Sequence, residues 1–145
     1  MDKGLAVFFM AVVGGFIALQ APVNAGLGKA TGSFAAALVS FMIGTALLAA
    51  IVVLSGKAGG VSEATNVEWY YLLGGVFGAA YVFTALVTVE VIGAGGVAAA
   101  TITGQLAASV AIDRVGAFGL DQIALTWDRL LGLALLLLGT YLIVR

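Results

Sequence analysis

Five long apolar stretches, separated by short polar or glycine-rich breaks, take up most of this chain. A bilayer-spanning helix needs about 20 mostly apolar residues, each rising 1.5 Å. Stretches of that length fall at approximately 4–28, 33–55, 67–91, 94–113 and 127–144. In lipid every backbone N–H and C=O must be satisfied within the span, and the helix does this without a partner. The pattern predicts an all-α integral membrane protein of five transmembrane helices, with 1–145 as a single transmembrane domain. An odd count puts the two termini on opposite sides. Five helices are also few to enclose a path, so the unit reads as one half of something larger.

The rest of the composition agrees. Hydrophobic residues make up 63% of the chain and charged residues 9%, with a mean hydropathy of +1.20. Soluble domains carry about 25% charged residues, so this chain lacks the means to cover a water-facing surface. A net charge of −1 gives no reason to expect nucleic acid. Cysteine and histidine are absent, which excludes disulfides, Cys/His metal sites, thiol nucleophiles and imidazole bases. No cofactor is called for, and an enzyme would be confined to carboxylates and hydroxyls. Ahead of the first stretch, Met1-Asp2-Lys3 carries no net positive charge, and the stretch outruns a leader's apolar region. It reads as a first span.

With five spans, residues 1–3, 57–66 and 114–126 share one side, which holds Lys3, Lys57, Arg114 and, at the adjoining helix end, Arg129. The other side holds Lys29 and Arg145. This four-to-two bias favours a cytoplasmic N-terminus by the positive-inside rule, yet leaves insertion in both orientations open. Small residues let helices approach closely in lipid. Gly74 and Gly78 give the third helix such a face, and Ala100, Gly104 and Ala108 do so on the fourth. The leucine-rich fifth helix is expected mainly to pack.

Polar groups at membrane depth are costly unless they find partners or line a wet cavity. This singles out Gln20, Asn24, Gln105 and Glu90. Gln20 and Asn24 flank the only proline, Pro22, which removes a helix hydrogen bond and crowds the preceding turn. A kinked, polar notch is expected there, as in the broken helices of transporters. The plainer alternative is a kink near the membrane end, with Asn24 at the headgroups. Gln105 lies roughly 12 Å along its helix from Asp113, and Gln20 roughly 24 Å from Gly4. The two differ in depth within one orientation and come level if two copies pair upside down. Their alternative role is to staple helices, contributing about 0.6–2 kcal/mol.

Glu90 reads as an interfacial charge or as a proton-exchanging acid. Tyr81 stands nearer mid-helix, where it would line a pore or simply pack. Asp113, Asp128 and Arg129 fall at helix ends, where a salt bridge between the fourth and fifth helices is the simplest account and a gate the alternative. The run Gly26–Thr31 invites comparison with a phosphate loop. It fails, because Val23 stands where the leading glycine belongs and Ala30 where Ser or Thr should follow Lys29.

The stretch from Leu19 through Gln20, Pro22 and Asn24 to Leu27, followed by Ala37–Thr45, resembles the opening of the YdcZ-like branch of the drug/metabolite transporter superfamily. Gly74–Val82 is similar to its third helix; Gly104–Gly119 and Arg129–Gly132 are similar to its fourth and fifth. Larger members have ten helices in two inverted five-helix repeats. The resemblance implies a secondary transporter subunit in a bacterial inner membrane that dimerises, antiparallel with itself or with a related chain. Gln20, Asn24, Gln105 and Asp113 match the family pattern.

The expectation is a subunit that moves a small organic solute by alternating access. Gln20, Asn24, Tyr81, Gln105 and Glu90 would contact the solute, while Pro22, Gly104, Asp113 and Arg129 would shape or gate the path. Helices one, three and four would line it. The alternatives are a non-transporting assembly or regulatory subunit, or a small channel. Enzymatic activity is not expected, since no nucleophile–base pair can be assembled.

Overall fold

The computed structural model describes residues 2–145 and contains, among them, helices and connecting turns but no strand. Helix α1 is Lys3–Thr31, α2 is Ser33–Leu54, α3 is the short Gly59–Ser62, α4 is Leu73–Val115 and α5 is Trp127–Val144. Four helical stretches are long and apolar enough to cross a membrane, the third being Trp69–Val115 with 47 residues. At 1.5 Å per residue that stretch would measure about 70 Å, more than twice a hydrocarbon core of about 30 Å. It does not run straight. Gly93 leaves helical geometry at φ 70° and ψ 167°, dividing α4 into a first arm, 73–92, and a second arm, 94–115. Five apolar helical segments result.

Two of the connections are single glycines. Gly32 joins α1 to α2 at φ 83° and ψ 152°, in the same region of backbone space as Gly93. Only glycine enters that region at low cost. Other boundaries differ from the expected ones. The polar stretch 57–66 is not a simple loop but holds α3 and the 3₁₀ turn Glu63–Asn66. Extended Val67 and Glu68 follow. A 3₁₀ turn, Trp69–Leu72, precedes α4, so the third span starts later than residue 67. Pro22 does not break α1, which continues to Thr31.

The chain divides into two compact units: Gln20–Glu90, and the chain up to Leu19 together with Val91–Arg145. The first contains the end of α1, all of α2 and the first arm of α4. Its interior is built mostly from small and β-branched residues, with one leucine: Ala21, Ala25, Ala36, Val82, Ala85, Leu86 and Val89 are buried. A Cβ added at Gly28 would meet Leu86 and Ala36 at ordinary van der Waals distance. Phe34 stacks on Phe83 with ring centroids 4.4 Å apart, and Phe41 rests against Gly78. Close backbone approach, the main source of helix cohesion in lipid, is what these small residues permit.

In the other unit the second arm of α4 and α5 run antiparallel and meet at three levels. Gly95 and Gly96 pack beside Ile143 and Val144. Thr103 meets Thr140 in the middle, and Asp113 meets Arg129 at the far end. Gly116 ends the arm in the left-handed conformation, its N–H donating to the Ile112 carbonyl at 2.9 Å. Such a cap satisfies one of the carbonyls a helix end leaves open. The connection then folds back, the Ile123 N–H donating to the Asp113 carbonyl at 2.9 Å.

Candidate functional site

Two open clefts of about 190 Å³ each lie within the unit Gln20–Glu90 and concern the expected residues. One is lined by Gln20 of α1 and by Ser40, Phe41, Gly44, Thr45 and Leu48 of α2. The α2 residues recur at spacings of three, four and one, so they form a single helical stripe. Gln20 and Gly44 stand symmetrically about Gly32, so the one-residue turn between antiparallel helices brings them opposite each other. Because α1 extends to Thr31, Gln20 lies about 16 Å along the helix from its end. That is deeper than a helix closing at residue 28 would place it.

The second cavity is lined by Ala25, Gly28, Lys29, Ser33, Leu86, Val87 and Glu90. Lys29 Nζ lies 3.5 Å from Glu90 Oε1, with both side chains largely exposed. Lys29 occupies the last turn of α1, where a cation also complements the helix dipole. Glu90 therefore sits in an exposed ion pair beside a small cavity. The same arrangement suits an interfacial charge and a solute contact.

The other expected residues are distributed as follows. Asn24 lies one helical turn beyond Gln20 and is only 5% exposed, yet it lines neither cavity. It is buried among protein atoms. Tyr81 is half-buried on the first arm of α4 and also lines neither cavity. Gly104 and Gln105 are exposed on the second arm. Among the described residues, the Gln105 amide makes no hydrogen bond. Asp113 Oδ2 accepts from Arg129 Nη1 at 2.9 Å, both being partly buried. Asp128 takes no part in an ion pair among the described residues.

Reading isolated polar residues missed Ser40, Phe41 and Thr45. Ser40 and Thr45 share one face of an α2 that is apolar apart from Ser33, a weak signal because helix hydroxyls commonly bond their own backbone. Thr140 was missed in the same way, hidden within the leucines of α5. No metal-binding cluster of acidic residues occurs among the described residues.

Residues 5–142 match the family described as "Putative inner membrane exporter, YdcZ". The chain belongs to this family. The match covers nearly the whole sequence and all five apolar segments, so the chain is a multi-pass transmembrane protein of an exporter family. No curated protein and no solved structure gives a match.

Proposed function

We propose that the protein is a secondary transporter subunit that moves a small organic solute across the bacterial inner membrane by alternating access as a dimer. The observation that carries this reading is the polar notch at Gln20, facing Ser40 and Thr45 at membrane depth in a chain of an exporter family. A hydrogen-bonding cavity in hydrocarbon is expensive to maintain unless it serves a polar guest. The five-helix chain acts as a single transmembrane domain and as one half of an inverted-repeat assembly. Its partner is an antiparallel second copy or a related five-helix chain. Gln20, Asn24, Tyr81, Gln105 and Glu90 serve the solute path, with Pro22, Gly104, Asp113 and Arg129 shaping or gating it.

Ligand-dependent thermal shifts of the detergent-purified protein across a metabolite and drug panel identify the solute, and counterflow in proteoliposomes then measures transport. Gln20→Ala and Gln105→Ala are expected to lower counterflow while leaving the dimer intact on size exclusion. Wild-type flux in both variants overturns the proposed site. Absence of flux from the wild-type chain, together with co-purification in a larger complex, supports the non-transporting subunit instead.

A further inference from the structure

We infer that the notch formed by Gln20, Ser40, Phe41, Gly44, Thr45 and Leu48 binds an uncharged, flat aromatic solute bearing an amide or hydroxyl group. The inference rests on the transporter reading only for calling the notch part of a transport path. The ligand class follows from the lining itself.

The lining offers hydrogen bonds and no charge. Among the described residues, the Gln20 amide and the Ser40 and Thr45 hydroxyls make no hydrogen bond within the protein. Among the other hydroxyls of the same unit, Ser33 and Thr84 are likewise without a bond, whereas several turn back onto the backbone. Thr31 donates to the Leu27 carbonyl at 3.0 Å, Ser55 to Val52 at 3.0 Å and Thr88 to Thr84 at 2.8 Å. Turning back onto the preceding turn is how a hydroxyl satisfies itself in an apolar helix. Ser40 and Thr45 forgo that option and line the same cavity as Gln20. Together the three groups present donors and acceptors for which lipid offers no partner.

The notch itself carries no charge. None of the six lining residues is ionisable. An ion there would lose its hydration with no counter-ion in the lining, a loss that fixed dipoles of one amide and two hydroxyls do not offset. A neutral amide or phenol loses far less and finds matching partners.

Shape points to a ring. Phe41 lines the notch and its ring also reaches toward Gly78, where an added Cβ would lie 3.5 Å from Phe41 Cζ. The lining thus includes an aromatic ring, and an offset or edge-on ring contact would add to simple burial. Leu48 extends the apolar surface, and Gly44 leaves the middle open: a Cβ built there meets no atom within 4 Å. The notch is an open groove of about 190 Å³ with Gln20, Thr45 and Leu48 exposed, large enough for one ring, since even an enclosed apolar cavity of about 150 Å³ holds benzene.

The test uses three nearly isosteric molecules that differ in charge: benzamide, benzoate and benzamidinium. The chain has no native cysteine, so Ser40→Cys or, should that variant not fold, Thr45→Cys reports occupancy by its alkylation rate with N-ethylmaleimide in proteoliposomes. Benzamide is expected to slow alkylation, while benzoate and benzamidinium at equal concentration leave the rate unchanged. Adding Gly44→Val fills the notch and abolishes the benzamide effect. Adding Gln20→Leu weakens it about fivefold, the loss of one net hydrogen bond. Equal protection by the charged molecules, or none by benzamide at either cysteine, overturns the inference. Benzamide protection in a protein without counterflow keeps the ligand class and removes the transport reading. Counterflow of a charged solute without benzamide protection does the reverse.

Discussion

Thr103 Oγ1 and Thr140 Oγ1 stand 2.7 Å apart and tie the second arm of α4 to α5. Thr140 Oγ1 also lies 3.1 Å from the Ala99 carbonyl, and Thr103 Oγ1 lies 3.4 Å from that of Leu136. The hydroxyl pair can therefore donate in either sense and still end on a backbone carbonyl. Side-chain hydrogen bonds between membrane helices contribute about 0.6 kcal/mol on average and up to about 1.7 kcal/mol. Thr140→Val, which keeps the shape, is expected to destabilise the purified protein by about 1 kcal/mol. Thr103→Val should cost a similar amount, and the double variant clearly less than the sum. Thermal unfolding in detergent checks this, and additive effects would show that the pair is not coupled.

The Asp113–Arg129 bridge makes a related prediction of different size. The two side chains are 27% and 33% exposed, so water screens them in part. Arg129→Leu leaves a half-buried carboxylate without its partner and is expected to cost about 1–2 kcal/mol, between the ranges for surface and buried pairs. The exchange Asp113→Arg with Arg129→Asp should recover part of that loss. A gate would show itself separately: Arg129→Leu would alter counterflow more than the swapped pair at equal stability.

Much of this architecture was legible because hydropathy is strong and lipid leaves so few alternatives. Five segments follow from apolar runs alone, and Asp113 with Arg129 follows from opposite charges at neighbouring helix ends. The notch was only half legible. Gln20 stands out as a lone amide, but Ser40 and Thr45 are common helix hydroxyls that ordinarily bond their own backbone, as Thr88 does. Only the turn at Gly32, which sets Gln20 opposite Gly44, distinguishes them, and that register is a tertiary fact. Asn24 was singled out as a polar residue, but its burial beside Ala21 and Ala25 on one face of α1 depends on how the helices pack, which the sequence does not give.

Gly32 and Gly93 share a backbone conformation that other residues adopt only under strain. Neither would meet a steric obstacle to a Cβ, since nothing lies within 4 Å of either position. Any cost of Gly93→Ala is therefore conformational, about 1–3 kcal/mol. Gly14→Ala, in helical α1 and equally unobstructed, should instead be neutral or stabilising, since alanine is favoured over glycine within a helix by about 1 kcal/mol. The contrast between the two variants in thermal unfolding isolates the turn from general effects of removing glycine.

Orientation supplies the last prediction, because an inverted homodimer needs both orientations in one membrane. Position 60 lies in exposed α3, and a count of five spans would put it on the side of Lys57, Arg114 and Arg129. Gly60→Cys adds the sole thiol and faces open space. The four-to-two distribution of basic residues biases that side inward without fixing it, since the rule counts lysines and arginines near the helix ends. An impermeant maleimide should therefore label position 60 from both faces, the larger share from the cytoplasm. Neutralising Lys57 and Arg114 as glutamines makes the count two on each side and should bring the labelling to parity. Labelling confined to one face in both forms would overturn the antiparallel homodimer. The second half would then have to be a related chain inserted the other way up.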